Sequence, residues 1–271
     1  MPELPEVETV VRQLDPLVTG RRLVAVEILD PKLEREDLCD LRGRIESIFR
    51  TGKRIAIEVG GPKHAWMAFH LRMTGRLIYN YGIPDERPKD LRAMLVLDRG
   101  ALLFKDVRRF GTITIHAEPG DLRAAGMEPL ADEFTSKALA ALLSGSSQAL
   151  KVWLMRQDRL AGLGNIYASE ILFGAGLAPT RKAGSLDWAE VKGLHRATRS
   201  VLRRAIQKCG TTFSDFQDAR GEMGSFQDCL MVYGRQGLEC RKCGAEIQRI
   251  VQAQRSTFFC PVCQPNPNRG E

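Results

Sequence analysis

The chain reads as an α+β protein of two domains that closes in a small metal-stapled module, and three features predict this. Residues 21–117 hold short runs rich in β-branched and aromatic side chains, many of them alternating as half-buried strands do. After a stretch containing Pro119-Gly120, Gly126 and Pro129-Leu130, the apolar spacing becomes helical. Near the end, Cys240-x-x-Cys243 and Cys260-x-x-Cys263 set four thiols in two knuckles 16 residues apart. A length of 271 residues with 44% apolar side chains is enough for about two cored domains.

The first element is a helix with an unusual approach. Met1-Pro2-Glu3-Leu4-Pro5-Glu6-Val7-Glu8 crowds two prolines and three carboxylates into the start of the chain. Pro5 suits a first helical turn, and Glu6 and Glu8 favour the positive end of the helix dipole. Leu4, Val7, Val10, Val11 and Leu14 then recur at helical spacing, and Pro16 and Gly20 are expected to end the run. If Met1 is trimmed, the chain starts with a secondary amine beside the Glu3 carboxyl. An α-amino group titrates near ~7.7–8.0, so it is partly unprotonated at neutral pH and can act as a nucleophile.

Strands are expected at Leu23–Leu29, Arg44–Phe49, Arg54–Val59, His64–Phe69, Ala93–Leu97, Ala101–Phe104 and Thr112–His116. Asp98-Arg99-Gly100 is a tight turn between two of them. Strands at this spacing make a sandwich or barrel, with the opening helix against it. The Gly/Pro/charge-rich run 81–92 reads as a surface loop.

In the second half, Phe134, Leu139, Leu142 and Leu143 mark one helix. Ile166–Phe173 marks another, after the turn Gly162-Leu163-Gly164-Asn165. That turn sets backbone N–H groups and a side-chain amide at a helix N-terminus, which suits an anion; by spacing alone a plain helical corner is the simpler reading. Trp188–Lys208 is a long cationic helix with Leu194, Val201, Leu202 and Ala205 inside. Its Lys192, Arg196, Arg199, Arg203 and Arg204 read most simply as a solvated face. Thr211–Phe226, with Gly221 and Gly224, reads as a mobile loop before a strand at Val232-Tyr233-Gly234-Arg235. The Pro/Asn-rich end, 264–271, reads as disordered.

The formal charge of +7 suggests a polyanionic partner. Residues 1–117 carry 20 Lys+Arg against 17 Asp+Glu, so the remaining 20 basic and 16 acidic groups leave both halves basic and neither a basic tail. No apolar run approaches the ~18 residues of a membrane span, and the acidic start is unlike a signal peptide. A reducing, intracellular setting is the expectation. There the four paired cysteines fit one tetrahedral zinc, with no open coordination position and hence a structural role. An iron cluster or a redox pair is the alternative. Cys39, Cys209 and Cys229 read as packing residues or surface thiols.

Taken together, MPELPEVETV at the start, His70-Leu71-Arg72-Met73-Thr74-Gly75, Asp106-Val107-Arg108-Arg109-Phe110-Gly111, Gly162-Leu163-Gly164-Asn165-Ile166-Tyr167-Ala168, and the cysteine pairs flanking Gln254-Arg255-Ser256-Thr257-Phe258 resemble the formamidopyrimidine-DNA glycosylases. These are bacterial enzymes that excise oxidised purines. The resemblance runs from residue 1 to residue 263, in order. It implies a catalytic β-sandwich domain over 1–117, a linker over 118–131, a helix–two-turn–helix domain with a lesion-recognition loop over 132–234, a zinc finger over 235–264 and a tail over 265–271. It further implies a monomeric cytoplasmic enzyme acting on double-stranded DNA with oxidised bases or abasic sites. Pro2 would be the nucleophile, Glu3 its acid/base partner and Lys53 a nearby cation that depresses the amine pKa. Met73, Arg108 and Phe110 would fill the gap left by the extruded nucleotide, although Met and Phe are more often core residues. Lys151, Asn165 and Arg255 would approach phosphates. Glu6 would brace the terminus against the helical domain.

Arg72 stands where the family has glycine, and Val107 where it has proline. The nearest alternative is an oxidised-pyrimidine glycosylase of the related endonuclease VIII type; a more distant one is a non-catalytic DNA-binding protein with a zinc ribbon.

Overall fold

The computed structural model describes residues 1–33, 36–211, 218–219, 221–222 and 224–266. Over these, the chain forms two compact units, Met1–Arg123 with Ile206–Gln227, and Ala124–Ala205 with the segment from Asp228 onward. Residues 212–217, 220 and 223 of the loop expected at 211–226, and residues 267–271 of the tail, lie outside the described residues.

The first unit opens with helix α1 (Leu4–Val18). Its apolar stripe of Leu4, Val7, Val10, Val11, Leu14 and Val18 is buried, as the spacing predicts. Pro16 lies inside the helix instead of ending it. A proline this late removes one N–H in the final turn, while the Thr19 N–H still reaches Asp15 O at 3.0 Å and buried Val18 anchors the end. The strands are β1 (Arg22–Ile28), β2 (Gly43–Thr51), β3 (Arg54–Gly60), β4 (Ala65–His70), β5 (Arg76–Asn80), β6 (Leu91–Leu97), β7 (Ala101–Lys105) and β8 (Thr112–His116), and a short helix α2 (Glu36–Cys39) follows β1. They pair in the order β5-β7-β6-β1-β2-β3-β4-β8, all antiparallel.

β1 and β2 meet only at Arg22↔Arg44 and Leu23↔Gly43, so the strands fold into two layers, β5-β7-β6-β1 and β2-β3-β4-β8. One core fills the space between them: Ile45, Ile55, Ile57, Met67 and Phe69 from one layer join Leu23, Leu77, Leu95, Leu102 and Phe104 from the other, and α1 adds Val7, Val10 and Leu14. The Phe69 and Phe104 rings meet edge-on at 5.6 Å across that core. The result is the expected β-sandwich with its opening helix. β5 is a strand the sequence reading passed over.

The second unit contains α3 (Ser136–Leu143), capped by the Thr135 hydroxyl, α4 (Leu150–Leu154), α5 (Asn165–Ala175) and α6 (Trp188–Gln207), followed by the hairpin β9 (Gln248–Gln252) and β10 (Arg255–Phe259). Two turns join α4 to α5, and Gln157 fastens them, accepting the Gly162 N–H at 3.0 Å and donating to Leu163 O at 2.7 Å. On α6 the expected apolar residues are buried, while Lys192, Arg196, Arg203 and Arg204 are exposed.

Two expectations fail here. Residues 232–235 form a turn, because the buried Glu170 carboxylate takes the N–H groups of Met231, Val232 and Tyr233 at 2.9 Å each, bonds a strand would give to a neighbour. Gln264 is ordered and buried: its side chain accepts the Cys260 N–H at 3.0 Å and donates to Leu177 O at 2.9 Å.

The β9–β10 hairpin turns through Ala253 and Gln254, at φ 45° and 60°. Two consecutive positive φ values suit the tight primed turns of hairpins, which favour Asn-Gly over this pair.

Candidate functional site

At the N-terminus of the first unit, Pro2, Glu3 and Glu6 are buried while Met1 is exposed. Glu3 is the N-cap of α1, and Glu3 and Glu6 form a reciprocal capping box. One oxygen of Glu6 accepts the Glu3 N–H at 2.8 Å and the other accepts the Thr211 N–H at 2.8 Å. A single carboxylate thus pins the residue after Pro2 and the start of the 206–227 segment. That segment clusters with the sandwich unit, although the sequence reading counted residue 211 in the helical domain, so through these bonds Glu6 braces the terminus against the 206–227 segment. Farther along α1, Gln13 donates to Asp218 at 2.7 Å and accepts the Ala219 N–H at 3.0 Å.

Lys53 is buried in the β2–β3 turn, which is tied down by Thr51 Oγ1 donating to Leu122 O at 2.6 Å and Arg54 donating to the same oxygen at 2.9 Å. Across the sheet, Arg54 pairs with His70. Burial, with Arg72, Lys53 and Arg54 nearby, lowers the His70 pKa to about 4. Its Nδ1 accepts the Arg72 N–H at 3.1 Å, so Nε2 carries the proton and can donate. A neutral histidine donor among three cations is a cradle for an anion. Sequence reasoning assigns His70 no role, since the signal is the convergence of two hairpins. Free in solution, His70 should titrate near 4, and an anion in the cradle should raise that value; a histidine NMR titration with and without phosphate checks both. Between pH ~4 and ~6.5 the unfolded chain binds this proton and the folded chain does not, so stability should fall as pH drops through that window.

Arg72 sits at φ 54°, the left-handed region. That is the physical reason glycine suits the position, and Arg72→Gly should raise the unfolding free energy of this unit, read from its denaturant midpoint, by about 1 kcal/mol or less, strain relief being partly offset by unfolded-state entropy. After it, Met73, and farther on Val107, Arg108 and Phe110, are exposed. Met73 and Phe110 are therefore not core residues. Arg108 stacks its guanidinium 5.0 Å from the Phe110 ring centre. Arg109 differs: its guanidinium is 2.6 Å from the buried carboxylate of Asp30.

In the second unit, Asn165 opens α5, and its amide donates to Ser256 O at 3.0 Å and to Tyr233 Oη at 3.5 Å. Lys151 is fully buried behind it, its ammonium on the Asn165 side-chain oxygen and 3.4 Å from Ser256 O. Lys151 therefore orients Asn165 and presents no charge to solvent. Arg255, at the start of β10, is exposed. Tyr233, whose ring meets Phe258 at 5.1 Å, and Glu170, which holds the Tyr233 turn, are site-forming residues the sequence reading did not select. Burial raises the Glu170 pKa, against the three N–H donors that favour its charged form.

The four cysteine sulfurs of the ribbon lie within 4.8 Å of one another. Separations of 3.9 Å for Cys240–Cys263 and 3.4 Å for Cys243–Cys260 bracket the S–S distance of roughly 3.8 Å set by tetrahedral bonds of about 2.3 Å to zinc. Backbone N–H groups of Lys242 and Cys263 point at Cys240 and Cys260 sulfurs, each at 3.4 Å. Without a cation the sulfurs resist joint ionisation: burial and then the neighbouring sulfurs push Cys263 up to about 12. A divalent ion reverses that, so the donor set fits zinc, held by all four cysteines with no open position.

Three family profiles match in order: the formamidopyrimidine-DNA glycosylase N-terminal domain over residues 1–113, the H2TH domain of the same enzymes over 125–217, and the zinc finger found in FPG and IleRS over 237–266. A protein of Symbiobacterium thermophilum named formamidopyrimidine-DNA glycosylase is 44% identical over 279 residues, covering 98% of this chain and 90% of its own length. Among solved structures, MutM (FPG) from Thermus thermophilus superposes with a TM-score of 0.84 at 40% identity, covering 97% of this chain and 98% of its own. Lactococcus lactis FPG, solved as a mutant with DNA containing Fapy-dG and as wild type with DNA containing an oxidised pyrimidine, superposes at TM-score 0.86 in both, with 33% and 34% identity and coverage of 98% of this chain and 100% of the other.

Proposed function

Since this chain belongs to the formamidopyrimidine-DNA glycosylase family, a DNA-repair family of glycosylases with a zinc finger, we propose that it excises oxidised purines from duplex DNA and cleaves the strand through an N-terminal proline. The observation that supports this most directly is the terminus itself. Pro2 is buried, with Glu3 beside it and Glu6 holding the Glu3 backbone, an expensive arrangement for a residue with no task.

The chemistry needs Met1 removed. The Pro2 nitrogen, unprotonated, attacks C1′ of the extruded nucleotide while Glu3 delivers a proton to the departing side, and the base leaves. The resulting iminium acidifies the C2′ protons, so β- and then δ-elimination break the two flanking C–O bonds, and water releases the enzyme. Lys53 and His70 hold a flanking phosphate near this centre. Met73, Arg108 and Phe110 fill the vacated stack. In the helical unit, Asn165 at the N-terminus of α5, seated by Lys151, and exposed Arg255 contact phosphates. The zinc keeps β9 and β10 in place and takes no part in bond breaking. The enzyme works as a cytoplasmic monomer; among the described residues no helix is long and apolar enough to cross a membrane.

A panel of duplexes bearing 8-oxoguanine, a formamidopyrimidine, an oxidised pyrimidine or an abasic site, each with borohydride present, tests the proposal. Trapped adduct with all four and base release fastest from the purine lesions is expected. Fastest release from the pyrimidine would favour the endonuclease VIII type, a reading that the L. lactis complex with an oxidised pyrimidine keeps in view. Binding without any trapped adduct would remove the catalytic reading.

A further inference from the structure

We propose that Asp106 and Thr74 form a clasp that makes Met73 and the Arg108–Phe110 loop move as one wedge, so that Asp106 is a positioning residue for base extrusion. The proposal rests on the wedge reading above and extends it.

The wedge residues come from two separate turns. The first, residues 71–75, joins β4 to β5; the second, 106–111, joins β7 to β8. Both cross between the layers of the sandwich, and they do so side by side: Arg76 pairs with Lys105 on one layer and His70 with Thr112 on the other. Neighbouring turns need not be coupled, since exposed turn residues ordinarily move independently of one another. Here one buried side chain joins them. Asp106 lies wholly inside, with one carboxylate oxygen accepting the Thr74 hydroxyl and the Arg108 N–H at 3.1 Å, and the other accepting the Gly111 N–H at 2.7 Å. The Arg108 N–H also reaches Thr74 Oγ1 at 3.1 Å.

These bonds close a ring around residues 107–110 and tie it to the residue after Met73. The fit is tight: a Cβ on Gly111 would stand 2.6 Å from the Phe104 ring and 3.1 Å from Asp106 Oδ2, and one on Gly75 would stand 2.4 Å from Leu71 O. Arg109 is drawn aside to Asp30, which leaves Arg108 and Phe110 as the side chains the loop projects. Among the described residues, the Asp106 carboxylate accepts from one hydroxyl and two N–H groups, with the Arg92 guanidinium in its electrostatic field. Losing any one of these donors leaves an oxygen of a buried carboxylate short of a partner, so the three bonds are expected to form and break together.

The test is a double-mutant cycle on single-turnover base release from a lesion duplex. In the parent, Met73→Ala and Phe110→Ala should each slow release and should be non-additive by about fivefold. In a Thr74→Val background their effects should simply multiply, and Thr74→Ser should restore the coupling; a merely structural loss of stability would shift rates without touching the coupling. Asp106→Asn, which turns one acceptor into a donor facing an N–H, should lower release from intact lesions about tenfold, the size of one lost charge-assisted bond, while cleavage of a preformed abasic site changes no more than about twofold. Coupling that persists in Thr74→Val, or is absent in the parent although each truncation slows release, overturns the clasp and leaves the wedge standing. If neither truncation slows release, the wedge reading falls and the clasp with it.

Discussion

A chain that keeps Met1, or carries a tag ahead of it, is expected to bind lesion-containing duplex and yield no borohydride-trapped adduct, because the amine that should attack C1′ has become an amide nitrogen. The proposed phosphate contacts on Lys53, Asn165 and Arg255 do not involve the Pro2 nitrogen, so affinity should change little. Robust trapping by a blocked protein would end the Pro2 assignment. Glu3→Gln makes a cleaner partner experiment than it first looks. Glu3 caps α1 by accepting an N–H, which a glutamine oxygen also does, so the helix start survives while proton delivery is lost. Base release should fall by about 10²–10⁴-fold, the range of general acid–base catalysis, with the melting transition of the sandwich unchanged. Glu6→Gln is the opposite case. Both its oxygens accept backbone N–H groups, so an amide must turn its NH₂ against one of them at a cost of about 1–3 kcal/mol. It should loosen residues 3 and 211 in hydrogen exchange before it affects the chemistry.

The second large effect is expected on removing zinc, by a chelator or by Cys260→Ser. The ribbon shares a small core with the helical unit, where Phe173 and Val232 pack with Cys240, Ile247 and Cys260. Its β10 strand supplies Ser256 O to both Lys151 and Asn165. Metal loss should therefore unfold the hairpin, leave the buried Lys151 ammonium short of an acceptor and unseat Asn165, lowering duplex affinity by tenfold or more on the scale of one or two charge-assisted bonds. The sandwich has its own core and should melt as before. Equal affinity with and without zinc would contradict this chain of contacts.

How legible the molecule was in its sequence followed the range of the forces involved. α1 and seven of the sandwich strands carry their own periodicity, and the four cysteines carry their own spacing, so these could be read locally. β5 was passed over because it is five residues at a sheet edge with only Leu77 fully buried. The Val232–Arg235 turn was misjudged because the side chain that sets it, Glu170, lies some sixty residues away. At the site, the order of the motifs and the resemblance they carry singled out Pro2, Glu3, Met73, Arg108 and Phe110 as candidates, and Met73 and Phe110 are exposed, where their residue types alone suggested core. What could not be read was burial: Lys151 faces inward, His70 is neutral among cations, and Asp106 is satisfied by two turns at once. Each of these depends on residues brought together from separate elements, and no window of sequence contains them.

The β9–β10 turn bears on the order in which the protein assembles. Ala253 and Gln254 are a poor pair for consecutive positive φ values, and a two-stranded hairpin is marginal by itself in water. The hairpin therefore cannot nucleate its own formation. Only when the second cysteine pair has followed the first can a metal ion close the loop from Cys240 to Cys263. Refolding of this end should accordingly follow zinc concentration, and the Asn165 seat, which needs Ser256, should form only after that slow step, while the sandwich at the other end is already complete.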